Sequence, residues 1–234
     1  MCSHYQAVKN RAQFERHFGL LPPVVEQALD VWPGYQSSFV RLHPHADAGD
    51  EAVAALEAAS GAFGLLPHWA KDRTLGRHTY NARTETVANK PSFRDAWARA
   101  QHCIIPADAI FEPDWRSGRA VSTRIAQTDG APMGIAGLWS AWRSPQGEVL
   151  SFTMLTVNAD AHPLMRHFHQ PSDEKRMVVV LPPALYADWL WADPAHSMDV
   201  IHACPPPALV AQADTPMAGA GPGGHRDPRQ AALF

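Results

Sequence analysis

Cys2 stands directly behind the first methionine in the opening residues "MCSHY". Initiator methionine is generally removed when the next side chain is small, and removal here leaves an α-amine and a thiol on one residue, a 1,2-aminothiol. An α-amine titrates near about 7.7 to 8.0 and a thiol near about 8.5, so both are partly nucleophilic at neutral pH. An aldehyde meeting this pair first forms a Schiff base with the amine and is then closed by the sulfur into a five-membered thiazolidine. The alternative, from position alone, is a small residue near a chain end with no chemical role.

Three other stretches carry chemistry. "YNARTET" (80–86) places an amide, Asn81, two residues before a guanidinium, Arg83, with Glu85 two further on. On an extended strand these share a face, and an amide beside a guanidinium suits an anion such as phosphate. A polar strand edge with an internal Arg83–Glu85 pair is the plainer reading. "IFEPDW" (110–115) sets Glu112 in an apolar strand, with Asp114 on the same face. A carboxyl drawn into such surroundings becomes a weaker acid and a better general acid; strand alternation can equally turn it to solvent. "HPLMRHFHQPSDEKRM" (162–177) offers His162, His167 and His169, any one of which could move protons near neutrality. No H-E-x-x-H motif or nearby cysteine completes a ligand set around them, or around His43 and His45, so neither metal nor cofactor is expected.

These residues have to be held by a scaffold. With 234 residues, 46% hydrophobic and 18% charged, the chain is long enough for one domain with a real core. The expected domain covers residues 2–212, and the Gly-, Pro- and Ala-rich stretch 213–234 is expected to be a disordered tail. No membrane-length apolar run or signal-like N-terminus is seen, so a cytoplasmic monomer is the expectation. Cys2, Cys103 and Cys204 are too scattered for a disulfide framework, and the last two read as packing residues. Net charge is −3, but residues 71–99 hold seven basic side chains against three acidic ones, enough for a local basic groove.

Periodicity predicts helices at 11–18, 51–59 and 92–100, with shorter ones at 160–168 and 183–190. Ser92 is placed to cap the third, with Asp95 near its positive end and Phe93 and Trp97 on its apolar face. Strands are predicted at 37–42, 102–106, 109–115, 120–126, 133–139, 150–157 and 176–181. Strands this closely spaced must pair antiparallel, which gives an α+β fold of curved, barrel-like antiparallel sheets flanked by short helices.

Taken together, the N-terminal Met-Cys, "NARTET", "PSFRDAWARAQHCIIPADAIFEPDW", the "GLW" at 137–139 and a histidine ahead of "RMVVVL" resemble the SRAP family, the SOS response-associated peptidases or abasic-site processing proteins. The resemblance spans about residues 2–182. It implies a single domain that binds single-stranded DNA at abasic sites and crosslinks to it through the N-terminal cysteine, exposed by autoproteolysis. Matched by motif, the catalytic cysteine falls on Cys2, the positioning amide on Asn81, the glutamate on Glu112 and the histidine on His169, with His167 as the fallback. Arg83 takes the phosphate contact, and Pro67 and Trp69 of "LLPHWA" take the aromatic wedge. His4, Arg77 and Arg94 are further expected DNA contacts. A thiol peptidase acting on other proteins and a noncovalent single-strand binding module are the competing readings.

The chain also departs from the family pattern. Ser3 and His4 replace a glycine and an arginine, Pro113 and Asp114 separate Glu112 from Trp115, "VWPGYQ" (31–36) replaces an Asn-x-Ala-Pro loop, and a polar loop, "QPSDEK", separates His169 from Arg176.

Overall fold

Alternation of apolar side chains along the strands produces a barrel with both faces covered. The computed structural model describes residues 2–24, 28–46 and 54–213. In chain order the elements are β1 (His4–Ala7), α1 (Arg11–Phe18), β2 (Asp30–Val31), β3 (Gln36–Leu42), β4 (Leu56–Phe63), β5 (Asn81–Arg83), α2 (Arg94–Ala98), β6 (His102–Asp114), β7 (Val121–Gln127), β8 (Met133–Ser144), β9 (Gly147–Asn158), β10 (Arg176–Val178), β11 (Val180–Leu181), α3 (Tyr186–Trp191), α4 (Ser197–His202) and β12 (Leu209–Ala213). Strand β8 pairs with β9, β9 with β4, β4 with β3, β3 with β6, and β6 again with β8, so five strands close a ring. All of these pairs are antiparallel except β4–β9. Phe39, Phe63, Ile105, Ile135, Phe152 and Met154 pack into one core. Their strand neighbours Val40, Ile104, Ala136, Leu138 and Leu155 face the other way, into a second core shared with α1, α2, α3 and α4.

Strand β6 joins the barrel to an outer sheet. Its first half pairs with β8 and its second half with β7 and β1, which in turn carry β12 and β2. The two runs expected at 102–106 and 109–115 are therefore one strand. The interruption between them survives as a register shift, because Gln6 faces Ala109 while Ala7 faces Ala107, leaving Asp108 unmatched.

The expected α+β barrel architecture holds, with local corrections. The helix expected at 51–59 is strand β4 from Leu56 on; its first three residues lie outside the described ones. Alanine favours helix, but the barrel wall needs small residues here: a Cβ on Gly61 would run into the Phe39 ring and the Leu150 carbonyl. Ser92 does not cap α2, which starts after Phe93 without a side-chain cap, although Phe93 and Trp97 are buried as expected. At 160–168 only a 3-10 turn forms (Met165–His167), because Nδ1 of His162 accepts from the Leu164 and Met165 amides and stops the turn short. The run 176–181 splits at Val179, which bonds to Leu155 on one side and Ala136 on the other. Helix α4 and strands β1, β2 and β12 carry too few periodic residues to be seen in advance. The expected tail lies outside the described residues apart from Ala213, which ends β12.

His102, at the start of β6, packs its ring against Trp189 at 4.1 Å and meets the Ser197 hydroxyl at 3.0 Å through Nε2. Burial pulls its pKa down to about 4, a backbone contact with Trp189 offsetting part of the effect. The unfolded chain, with an imidazole near 6.5, then binds the proton more readily than the folded one between these values. Stability is thus complete above about pH 6.5 and falls as pH drops toward 4, by about 3 kcal/mol from this group. Urea unfolding of the parent and of His102→Gln at pH 7 and pH 4.5 should show a smaller acid loss in the variant; equal losses would refute the assignment.

Candidate functional site

The β1–β6 pairing brings the N-terminus to the carboxylate. His4 lies opposite Phe111, so the chain preceding β1 runs alongside Glu112. Cys2 is 2% exposed, and its thiol bonds to the His4 carbonyl at 3.4 Å. Burial, and then the nearby Glu112 charge, push the thiol pKa far up, so it is held as the neutral SH. From β5, which lies parallel to β9, Asn81 donates through Nδ2 to the Cys2 carbonyl at 2.7 Å. Its Oδ1 is buried and finds no partner among the described residues.

Glu112, 3% exposed, faces His169, with Oε2 3.5 Å from Nδ1. His169 is held from three sides. Its amide donates to the Pro113 carbonyl at 3.0 Å, its Nε2 meets the Arg176 carbonyl at 3.2 Å, and its backbone takes a left-handed φ of 64°. A β-carbon residue in that region is sustained only by surrounding contacts, and it turns the ring toward Glu112. His167 lies elsewhere: its Nε2 accepts from Arg166 Nε at 3.4 Å. The geometry thus separates the two candidate histidines. Cys2, Asn81, Glu112 and His169 come together from four distant parts of the chain.

The candidate DNA contacts are arranged less uniformly. Pro67 is buried, while Trp69 at the tip of the same loop is 45% exposed. The loop is pinned by Leu66 N to Ser151 Oγ (2.8 Å) and by Trp142 Nε1 to the Ala70 carbonyl (2.8 Å). It leaves β4 at Gly64, whose φ is 122° and where a Cβ would collide with the Gly76 backbone. Arg77 and Arg94 are exposed, Arg94 lying 3.6 Å from Asp95. Arg83 does not pair with Glu85. It pairs with Glu174 at 2.7 Å, and Glu85 pairs with Arg176 at 2.9 Å, because the strand ends at Arg83 and the chain turns. His4 is largely covered, its side chain 14% exposed. Its ring is sandwiched between Trp32 (4.0 Å) and Phe111 (4.1 Å), and Nε2 is held by Asp30 at 2.9 Å.

Sequence reasoning missed two parts of this site. Tyr80 lies close to Cys2 and Glu112, and burial, with the Glu112 charge adding to it, raises its phenol pKa; its place just before Asn81 was the available signal. Arg176, almost fully buried, binds Glu85, Glu174 and the Thr156 carbonyl with its guanidinium while its carbonyl holds His169. A lone arginine opening an apolar strand gave no such signal. Among the described residues, no three His, Cys, Asp or Glu side chains gather into a metal site, and no helix is long and apolar enough to cross a membrane.

The chain is similar in fold and sequence to known proteins. A crystal structure of a protein from Bordetella bronchiseptica superposes with a TM-score of 0.80 at 45% identity, covering 92% of this chain and all of that one. "Abasic site processing protein YoqW" of Bacillus subtilis is 34% identical over 131 residues, 55% of this chain and 54% of the relative. "Abasic site processing protein HMCES" of Gallus gallus is 23% identical over 133 residues, 47% of this chain and 40% of that one. The chain spans about half the length of the curated relatives it matches. The family model described as "SOS response associated peptidase (SRAP)" matches residues 1–213, and with that match over nearly the whole chain the protein belongs to the SRAP family.

Proposed function

We propose that the chain acts in DNA repair, capturing abasic sites in single-stranded DNA as a covalent thiazolidine on Cys2 once Met1 is gone. The observation that carries this reading is the bond from Asn81 to the Cys2 carbonyl beside the buried Glu112–His169 pair. That arrangement holds the residue bearing the future amine next to an acid–base couple. The relatives' names, which speak of abasic-site processing, point the same way.

The steps balance without any oxidant or cofactor. An abasic deoxyribose is mostly a closed hemiacetal, and Glu112 with His169 assists its opening by moving the hydroxyl proton to the ring oxygen. The Cys2 amine adds to the aldehyde carbon, and loss of water from the carbinolamine gives an imine. The sulfur then bonds to the imine carbon while the thiol proton goes to nitrogen, closing the ring. Asn81 fixes the backbone of the attacking residue, and its buried Oδ1 offers an acceptor to the freed amine. Arg83, Arg77 and Arg94 hold backbone phosphates and Trp69 stacks where a base is missing.

A thiol peptidase acting on other proteins fits less well. Such an enzyme needs a thiolate, and here burial and Glu112 keep the thiol protonated.

Intact-mass measurement should show loss of Met1. Incubation with an oligonucleotide carrying one abasic site should give an adduct that withstands heating in a denaturing gel, while the undamaged strand gives none. Retention of Met1, or an adduct of equal yield on both strands, would rule out the mechanism.

A further inference from the structure

We propose that Glu174 is a built-in competitor for the phosphate position at Arg83, a carboxylate that keeps the grip on undamaged single strands weak. The proposal rests on the strand-binding reading above. Arg83, at the end of β5, is 47% exposed, and its Nη1 sits 2.7 Å from Oε2 of Glu174. A strand phosphate that takes the Nη1 position of Arg83 must therefore replace an oxygen of the same charge and similar hydrogen-bonding geometry.

Glu174 is held in place from behind. Its other oxygen, Oε1, lies 2.7 Å from Nη1 of Arg176, whose side chain is only 2% exposed. That bond, followed by the charges of Arg176 and Arg83, holds the Glu174 carboxyl below the usual range. Arg176 is fixed in turn by Glu85 and by the Thr156 carbonyl at 2.7 Å. The polar loop that carries Glu174 is anchored at both ends in the candidate site. It leaves His169, which faces Glu112, and returns at Arg176, whose carbonyl meets the His169 ring. Lys175 ties it further through the His169 and Gln170 carbonyls.

One carboxylate thus bridges a buried guanidinium and an exposed one. When a phosphate takes the exposed partner, Glu174 keeps the buried one, so the exchange breaks one solvent-exposed pair and strands no charge. Such a pair is weak enough to be displaced and strong enough to cost a strand about two- to fivefold in affinity. A strand captured at Cys2 is held covalently and does not depend on this grip, so the penalty falls mainly on undamaged DNA.

The test is fluorescence anisotropy with an undamaged single-stranded oligonucleotide, which needs no aminothiol chemistry. Glu174→Gln should bind about two- to fivefold tighter than the parent at low salt, with a salt dependence steeper by up to about one unit. Arg83→Ala/Glu174→Gln should bind no tighter than Arg83→Ala. If melting shows that the glutamine loosens the loop, Glu174→Asp, too short to reach both guanidiniums, should give the same gain. Unchanged or weaker binding by the folded variants overturns the proposal. So does a gain that persists without Arg83, which would be a general effect of charge. Adducts on abasic strands without measurable binding to intact ones would overturn it while sparing the crosslinking reading; neither adduct nor binding would overturn both.

Discussion

Cys2→Ala is expected to give no heat-stable adduct with an abasic oligonucleotide, and Cys2→Ser only an adduct that needs borohydride to survive denaturation. Alanine and serine are small enough for Met1 to be removed, so both variants keep the amine and can form an imine. An imine hydrolyses on heating unless it is reduced. What they lack is the sulfur that adds to the imine carbon and closes the ring. Because burial and Glu112 keep the Cys2 thiol neutral, the amine rather than a thiolate must attack first. The parent rate should therefore rise with pH as the Cys2 amine loses its proton, and flatten once the amine is neutral. It should show no second rise near the ordinary thiol value. A gel series with and without borohydride, across pH, reads all of this; an alanine variant that matches the parent without reductant would overturn the aminothiol mechanism.

Asn81→Asp should slow adduct formation about 10²-fold while leaving the fold intact. The parent amide donates to the Cys2 carbonyl at 2.7 Å. A carboxylate there has no proton to give, so it faces an oxygen with an oxygen and brings a second negative charge into the neighbourhood of Glu112. The chain would lose the bond that aims the amine, and a small misplacement of a nucleophile is costly in rate. Because the Asn81 Oδ1 position is buried, the carboxylate should also lower the melting temperature, so the rates are compared well below it, where the variant is folded. Single-turnover kinetics at saturating oligonucleotide isolate the effect from binding. A rate within about threefold of the parent would remove Asn81 from the positioning role.

Much of the candidate site was legible before any fold was known. Glu112 stood out as a carboxyl in an apolar strand, Asn81 as an amide two residues before Arg83, His169 as one of three clustered histidines that the family resemblance singled out, and Cys2 by its place behind Met1. The pairings of the charged groups were not legible. Arg83 and Glu85 are neighbours in the chain yet choose Glu174 and Arg176, about ninety residues away. The strand ends at Arg83, and only the turn that follows decides which way Glu85 points. His4 shows the same limit. Its ring is fixed by Trp32, Phe111 and Asp30, three residues that no local spacing connects to it.

Strand periodicity fared best where both faces of a strand are buried and each side chain has one place to go, as along β8 and β9. It failed at β4, whose alanines suit a helix but lie in the barrel wall, where a Cβ on Gly61 would meet Phe39 and Leu150. The sequence by itself determined which groups are available, a cysteine behind Met1, an amide, a carboxyl in an apolar strand and clustered imidazoles, since these follow from residue type and chain position. Tertiary structure alone decided that β1 lies along β6, that His169 rather than His167 meets Glu112, and that Glu174 sits on Arg83. Those outcomes depend on strand register and on how a left-handed residue aims a ring, and contacts distant in the chain set both.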